Sequence, residues 1–309
     1  MAVMRRLGSR GSPLALAQTR QVAAMLAKSS GADVEAFPIE AFMTSGDRLS
    51  GRLQDQGGKG LFTKELDEAL LDGRIDCAVH SMKDLPGDLP AGLVIEAVLP
   101  RADARDALVA FKAARLADLP AGARVGTSSL RRQAQLLAFR PDLRIQPLRG
   151  NVDTRLRRLD SGELDAVVLA SAGLIRLGWH ARITEYLDPA ISLPAVAQGV
   201  IGIECRSTDA RTRRLLAPLE HRATRIVMDA ERAFAHRLGG SCQSPIAAHA
   251  RVDGTRLILE GLVAQPDGSR ILRDTLSGDV GDSVRLGKEL AERVLAAGGG
   301  LLLERLRAS

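Results

Sequence analysis

Short apolar segments alternate with amphipathic segments through the first hundred residues. Ser12 followed by Pro13 predicts a helix start, because serine caps helices and proline fits the first helical position. This helix is expected to end at Gly31, and a second helix carrying Leu66 and Leu70 is expected to end near residue 73. The apolar runs predict strands over residues 3–9, 34–43, 75–80 and 93–99.

The same alternation continues to about residue 200. Strands are predicted over residues 106–111, 124–126, 143–148 and 165–170. Ser129 and Asn151 lie where helices begin, and the second helix carries Leu156 and Leu159 on one face. Strands that alternate with helices indicate βα units and largely parallel sheets. Residues 200–205 are apolar enough for a further strand, which we expect to cross back into the first domain.

The pattern changes after residue 222. A long helix over 222–238 precedes three strand-like segments, which are separated by the hairpin signals at 252–254 and 266–268 and followed by a helix over 282–297. This pattern is typical of a small antiparallel sheet with helices. We therefore expect three domains, namely 1–99 with 200–217, 100–199, and 218–309, with a mobile loop over 45–60.

Charge and cysteine content limit the kinds of ligand and the cellular compartment that we expect for this protein. The net charge is +6, and only six of the 43 basic residues are lysine. Two explanations stay open from composition alone: a GC-rich genome, or a site for several carboxylates or phosphates, which guanidinium groups bind well. Three cysteines cannot form a closed set of disulfides, and no apolar run reaches signal-peptide or membrane-span length. We expect a soluble cytoplasmic protein without a metal.

The three cysteines differ in their surroundings. Cys77 and Cys205 lie inside apolar runs and are expected to be buried and inert. Cys242 lies among residues that favour turns, where a thiol is expected to be exposed. Packing in a hydrophobic core, the usual role of a free cysteine, does not explain the position of Cys242.

Hydroxyl and guanidinium groups follow five of the predicted strands. Ligands bind beyond the carboxyl ends of strands in open α/β sheets, often at helix N-termini. Each position alone is explained by ordinary helix capping or a solvated face, but together they predict a cavity for a ligand with many negative groups. The residues are Ser9, Arg10, Ser12, Ser81, Lys83, Asp84, Thr127, Ser128, Ser129, Arg131, Arg132, Arg149, Arg155, Ser171 and Arg176.

Asp84 is the one acid at its strand end. It lies beside Lys83 and two residues before Pro86, so a surface turn is one interpretation. The other is a carboxylate in a positive cleft, with a pKa held low by neighbouring cations, that stabilises a cationic intermediate and moves protons.

Several motifs in order resemble the porphobilinogen deaminase family, also called hydroxymethylbilane synthase, over nearly the whole chain. They are SRGSPLALAQT (9–19), GGKGLFTKELDEALLDGRIDCAVHSMKDLP (57–86), GTSSLRRQAQL (126–136), LRGNVDTRL (148–156), LASAGLIRLG (169–178), PAVAQGVIGIE (194–204) and the loop around Cys242. The resemblance implies two doubly wound α/β domains similar to type II periplasmic binding proteins. It also implies a C-terminal α+β domain with a three-stranded antiparallel sheet.

The resemblance implies a transferase of tetrapyrrole biosynthesis. It joins four porphobilinogen molecules head to tail, with loss of ammonia, onto a covalent dipyrromethane cofactor, and water then releases hydroxymethylbilane. Cys242 matches the thioether attachment residue, although Ser241 separates it from Gly240, where the family usually has Gly-Gly-Cys. Asp84 matches the catalytic acid. A monomer that binds neither nucleic acid nor a membrane is the implied state.

The remaining roles follow by motif position. The implied cofactor-binding residues are Ser81, Lys83, Asp84, Thr127, Ser128, Ser129, Arg131 and Arg132. The implied substrate-binding residues are Arg10, Ser12, Gln18, Arg149, Arg155, Arg176, Gln198 and, on a lid over 45–60, Lys59.

Two other classes of function stay open from the residues alone. An anion-binding protein fits the two-lobed fold but needs neither Cys242 nor Asp84. A nucleic-acid-binding protein fits the basic segment 155–160 and the pair Arg131 and Arg132. However, aromatic residues make up only 3% of the chain and leave little for base stacking.

Overall fold

The computed structural model describes residues 4–48, 60–240 and 244–308. The elements up to Arg101 are β1 (Leu7–Arg10), α1 (Pro13–Ser30), β2 (Ile39–Phe42), α2 (Ser45–Arg48), α3 (Lys64–Leu71), β3 (Cys77–Ser81) and β4 (Leu93–Val98). The next are β5 (Asp106–Ala110), β6 (Arg124–Gly126), α4 (Leu130–Phe139), β7 (Arg144–Gln146), α5 (Val152–Asp160), β8 (Ala166–Ala170), α6 (Ser171–Arg176) and β9 (Glu185–Tyr186). The last are β10 (Ile201–Arg206), α7 (Ala210–Leu216), α8 (Arg222–Arg237), β11 (Ile246–Asp253), β12 (Arg256–Ala264), β13 (Ile271–Asp279), α9 (Ser283–Val294) and α10 (Gly300–Ala308).

The chain divides into two compact units. The first unit consists of Met1–Arg101 and Val200–Arg225, and the second of Ala102–Gly199 and Ile226–Ser309. Each unit is described separately below.

The first unit is built on a five-stranded sheet with the order β2-β1-β3-β10-β4. Strands β1, β2 and β3 are parallel, whereas β10 is antiparallel to both of its neighbours, β3 and β4. Leu26 of α1 packs on one face of the sheet, and Leu66 and Leu70 of α3 pack on the other. The strand expected over 200–205 is thus confirmed, and it joins the first sheet.

The second unit contains a five-stranded sheet with the order β7-β6-β8-β5-β9, in which β5 runs antiparallel to β8 and β9. Leu136 of α4 packs on one face and Leu156 of α5 on the other. Helices therefore cover both faces of each five-stranded sheet, as the doubly wound class requires.

The second unit also holds an antiparallel three-stranded sheet with the order β11-β12-β13. Phe234 of α8 packs so closely on Gly261 that a Cβ atom there would lie 2.5 Å from the Phe234 ring. Ala247 and Leu262 of this sheet also contact Ala134 of α4. The three sheets confirm the predicted fold class, with two doubly wound α/β sheets and a C-terminal antiparallel one.

Several predicted elements differ from the observed ones. The strand expected over 3–9 begins only at Leu7, and the segment expected to be a loop over 45–60 begins with the helix α2. The strand expected over 34–43 is confined to Ile39–Phe42, because Val34–Ala36 form a 3₁₀ turn and Pro38 has no N–H to donate to a ladder. The last predicted helix, 282–297, is confirmed, because α9 continues as a π-helical segment (Leu295–Gly299) up to Gly298. The helix α10 that follows was not predicted. Gly298 allows this second helix, since its φ of 103° breaks the first one.

Within the described ranges, no helix combines the length and the apolar character needed to cross a bilayer.

Candidate active site

A cavity of about 60 Å³ lies where β1 and β3 end, within the first unit. Several side chains that were predicted at a binding site line it together: Arg10, Ser12, Gln18, Ser81 and Asp84. Leu14, Ala15, Phe62, Thr63, Val79, His80 and Leu85 complete the wall. A guanidinium, two hydroxyls and a carboxylate in one small space suit a ligand that carries both carboxylates and N–H donors.

Helix α1 positions the first part of this wall. The Oγ atom of Ser12 accepts a hydrogen bond from the N–H of Ala15 at 3.2 Å, which confirms the predicted helix cap. Because this oxygen accepts, its hydroxyl hydrogen can be donated to a ligand. The guanidinium of Arg10 lies 4.3 Å from the centre of the Phe62 ring, an arrangement that holds a cation by its attraction to the ring face.

Gln18 and Ser81 connect α1 to the end of β3. The Gln18 Nε2 atom lies 2.9 Å from the Ser81 hydroxyl oxygen, and that hydroxyl lies 3.1 Å from Gln18 Oε1. Gln18 is buried, so this pair fixes the orientation of the Ser81 side chain. A residue expected to bind substrate is therefore in direct contact with one expected to bind cofactor.

Asp84 ends a 3₁₀ turn between two buried anchors, Met82 and Leu85. Met82 packs against Gly202 of β10, where a Cβ atom would lie 2.1 Å from the Met82 sulfur. The Asp84 side chain is half-buried, and no other described residue donates a hydrogen bond to its carboxylate. Lys83 precedes it on the same turn and is also half-buried. The turn thus holds a carboxylate whose acceptor atoms are available to a ligand.

In the second unit, three hydroxyl residues form the junction between β6 and α4. The Ser129 N–H donates to Thr127 Oγ1 at 3.2 Å, and Ser129 Oγ caps α4 by accepting from the N–H of Arg132 at 3.4 Å. Ser128 Oγ donates to the carbonyl of Leu148 and accepts from its N–H, both at 2.9 Å. The helix start predicted at residues 127–130 is confirmed, with Ser129 as its cap.

Arg131 and Arg132 both bind the carboxylate of Asp106, at the start of β5. Arg131 Nη1 lies 2.7 Å from one carboxylate oxygen, and Arg132 Nη2 lies 2.7 Å from the other. Ser192 Oγ at 2.8 Å and Gln198 Nε2 at 2.9 Å also donate to this carboxylate. All of these side chains are buried.

The electrostatics of this group follow from two cations around one anion. Burial alone would raise the pKa of Asp106, but the charges and hydrogen bonds of Arg131 and Arg132 outweigh it and hold that pKa far below its usual range. Burial lowers the pKa of Arg131, and Asp106 opposes this effect. One positive charge is left uncompensated inside the group, which favours an anionic ligand beside it.

The three other predicted arginines of this unit have separate surroundings. Arg149 is half-buried, and its guanidinium makes no hydrogen bond or ion pair with another described residue. Arg155 Nε donates to the carbonyl of Gly150 at 2.9 Å. Arg176 Nη2 donates to the carbonyl of Gly199 at 2.8 Å, and burial lowers its pKa to about 10, so it stays charged at neutral pH.

The cysteine and lid predictions fall largely outside the described residues. Cys242 and Lys59 both lie there, as does most of the 45–60 segment. The other two thiols are buried, as expected. Burial raises the pKa of Cys205 to about 12 and raises that of Cys77 further, so neither forms a thiolate at neutral pH.

The sequence analysis did not identify Asp106, nor the cluster of His80, Glu204 and Asp67. Asp106 had a visible signal, since it is an acid that opens an otherwise apolar strand. His80, Glu204 and Asp67 had none, because they come from β3, β10 and α3 and meet only in the folded chain.

Comparison with known proteins gives consistent matches. The family described as "Porphobilinogen deaminase, dipyromethane cofactor binding domain" matches residues 5–214, and "Porphobilinogen deaminase, C-terminal domain" matches residues 226–296. The chain is 50% identical to the porphobilinogen deaminase of Syntrophotalea carbinolica over 303 residues, covering 97% of this chain and 95% of that protein. A periplasmic substrate-binding protein of an ABC transporter from Coxiella burnetii is similar in structure, with 16% identity, a TM-score of 0.44, and coverage of 70% of this chain and 91% of that one.

Proposed function

The chain belongs to the porphobilinogen deaminase family, and on that premise we propose that Asp84 is its catalytic carboxylate and Cys242 the attachment residue of its dipyrromethane cofactor. The protein is a transferase of tetrapyrrole biosynthesis. It condenses four porphobilinogen molecules head to tail, with loss of ammonia, and water releases the product as hydroxymethylbilane. When bound, the cofactor supplies the primer for the first condensation.

The observation that carries the role of Asp84 is its position in the cavity of the first unit. Its half-buried carboxylate accepts no hydrogen bond from another described residue and lines the same cavity as Arg10 and Ser12. Loss of ammonia leaves a positive charge on the substrate pyrrole, and a nearby carboxylate stabilises this charge. The same carboxylate accepts the pyrrole proton after the new carbon–carbon bond has formed.

Guanidinium and hydroxyl groups are assigned to the substrate carboxylates by their motif positions, and each unit is considered separately. Every porphobilinogen unit carries an acetate and a propionate, and arginine binds such groups through paired hydrogen bonds. In the first unit this role belongs to Arg10, Ser12 and Gln18. In the second it belongs to Arg149, Arg155 and Arg176, with Gln198 acting through its bond to Asp106. Lys59 is assigned to the same set by its motif alone.

Residues of each unit are assigned to the dipyrromethane carboxylates by their motif positions. The proposed cofactor residues are Ser81, Lys83, Asp84, Thr127, Ser128, Ser129, Arg131 and Arg132. The uncompensated positive charge around Asp106 supports this assignment, because it fits an acidic group. Since the Arg131 and Arg132 side chains are bound by Asp106, their guanidinium groups are held in fixed orientations.

The thioether is assigned to Cys242 because a thiolate is the nucleophile in such an attachment. Cys77 and Cys205 are buried, and the pKa of each thiol is raised by that burial. Of the three cysteines in the chain, Cys242 is the one that follows Gly-Gly-Ser at 239–241 rather than lying in an apolar run of the sequence.

The finer organisation of the protein is part of the same proposal. We assign three domains, namely 1–99 with 200–217, 100–199, and 218–309, and the separate antiparallel sheet β11-β12-β13 supports the third. The protein acts in the cytoplasm as a monomer, without nucleic acid.

Replacement of Asp84 tests this proposal. Asp84→Ala is expected to fold normally and to lower the rate of porphobilinogen consumption by about 10² to 10⁴, the range usual for loss of an acid–base group. Asp88→Ala is the matched control, because Asp88 is exposed and lies four residues further along. Near-normal turnover by folded Asp84→Ala would overturn the assignment.

A further inference from the structure

Three titratable side chains form a buried cluster beneath the cavity that contains Asp84. His80 Nε2 lies 2.9 Å from Glu204 Oε2, and both side chains are almost fully buried. Asp67, in the first turn of α3, is also buried, and its carboxyl group lies within hydrogen-bonding reach of Glu204. The strand pairing that places Gly202 opposite His80 brings Glu204 to this position. None of the three has a role in the function proposed above.

The two carboxyl groups of the cluster, those of Asp67 and Glu204, are buried close together. Within the described structure, Oδ1 of Asp67 and Oε1 of Glu204 are buried oxygens without a hydrogen-bond donor. Burial and the negative charge of Glu204 raise the pKa of Asp67 to about 6, although Thr63 and His80 act in the opposite direction. Protonation of Asp67 removes this repulsion, and with this pKa its proton exchanges near neutral pH.

The cluster extends from one cavity to another. His80 lines the cavity that contains Asp84, whereas Asp67 lines a second cavity of about 290 Å³. Thr63 lines both cavities, so they lie on either side of the start of α3. His80, Glu204 and Asp67 can each accept and donate a proton. In this order they connect the first cavity to the second through the buried interior of the unit.

We propose that His80, Glu204 and Asp67 form a proton relay between the cavity of Asp84 and the second cavity. The inference rests on the proposed role of Asp84, which must lose the pyrrole proton before it can act in the next condensation. The proton passes from the Asp84 carboxyl to the His80 ring through the cavity they share, then along Glu204 to Asp67, and from there to water. Each group regains its starting protonation when one proton has passed, so no charge accumulates.

The other titratable groups that line the two cavities are consistent with a proton relay through the cluster. Arg10 and Asp84 are the other titratable groups lining the first cavity, and Lys64, Glu68 and Asp88 are those of the second. Lys64 and Glu68 are exposed and lie 3.9 Å apart, so they face solvent. No group of His, Cys, Asp or Glu side chains in the described chain is arranged to hold a metal ion.

Isosteric variants of the complete enzyme, with its cofactor attached, test the relay. Asp67→Asn and Glu204→Gln keep the shape of each side chain but remove its transferable proton. We expect kcat to fall by about tenfold or more, with a change in KM of less than about twofold, because the relay acts after substrate has bound. Added formate or imidazole should restore kcat in proportion to its concentration, since a diffusible acid or base replaces the missing group. The parent enzyme should show no such dependence.

Asp72→Asn is the matched control, because Asp72 lies at the end of the same helix and is exposed. It should keep the parental kcat without added buffer. Parental kcat in both relay variants between pH 6 and 9 would overturn the relay, and so would a fall in kcat that added formate and imidazole leave unchanged. The role of Asp84 would survive either result, since it depends on the separate Asp84→Ala measurement.

Discussion

Asp106 accepts hydrogen bonds from Arg131 and Arg132 at once, with one carboxylate oxygen 2.7 Å from Arg132 Nη2 and the other 2.7 Å from Arg131 Nη1. The strand β5 and the helix α4 are thereby tied together at the point where the cofactor carboxylates are proposed to bind. Asp106 holds the two guanidinium groups in place and neutralises one of their two charges, so a net positive charge remains for a further carboxylate.

Asp106→Asn is predicted to destabilise the protein strongly. The change removes the only negative charge of a buried group and leaves two guanidinium groups without a counter-ion, which typically costs about 3–5 kcal/mol in the free energy of unfolding. Urea unfolding measures this loss. Asp118→Asn is the control, because the Asp118 pair with Arg115 is exposed and its removal should leave the unfolding midpoint unchanged. Equal midpoints for the two variants would contradict the buried-charge account.

Arg149→Leu is predicted to lower the rate of condensation without changing the stability of the fold. The Arg149 guanidinium makes no bond to another described residue, so its removal should change the free energy of unfolding by less than about 0.5 kcal/mol. Loss of a paired hydrogen bond to a substrate carboxylate should lower the rate of condensation by about a hundredfold, while the thioether to the cofactor stays intact.

Arg157→Leu is the control for Arg149, since Arg157 is an exposed residue of the neighbouring helix α5. Steady-state rates of both variants measure the loss of condensation, and their intact masses show whether the cofactor is still attached. If Arg149→Leu and Arg157→Leu had the same rate, Arg149 would have no place in the substrate site.

The stability of the fold should respond to pH through Asp67. Burial raises the pKa of Asp67 from 3.8 to about 6 in the folded chain. A carboxyl group with a raised folded-state pKa contributes most to stability at low pH, and this contribution is lost as the pH rises from the unfolded value through the folded one. Asp67→Asn should therefore stabilise the protein relative to the parent, by about 1 kcal/mol more at pH 8 than at pH 5.

Urea unfolding of the parent and of Asp67→Asn at both pH values checks this prediction, with Asp72→Asn as the exposed comparison. A stability difference between parent and Asp67→Asn that is the same at pH 5 and pH 8 would show that Asp67 is already charged throughout this range.

The local signals in the sequence predicted local structure well. Ser12, Ser129 and Asn151 cap helices as expected, because a cap requires only its own side chain and the next turn. Asp84 lines a cavity with Arg10 because strand ends in a parallel sheet meet at one edge, which the alternation of strands and helices already implied.

Long-range pairings were not predictable in the same way. The apolar pattern of residues 200–205 predicts a strand but carries no information about its direction, and the antiparallel insertion of β10 is what brings Glu204 to His80. Likewise, nothing local shows that Asp106 pairs with side chains 25 and 26 residues further along the chain. Such contacts are set by how the sheet is assembled.

The covalent state of Cys242 tests the central claim most directly. Intact mass spectrometry under denaturing conditions, on protein from cells that make porphobilinogen, should show an adduct of two pyrrole units, and peptide mapping should place it on Cys242. Cys242→Ser should lack the adduct and the activity, whereas Cys205→Ser should keep the adduct. An unmodified parent chain that still converts porphobilinogen, or an adduct mapped to another residue, would contradict the account.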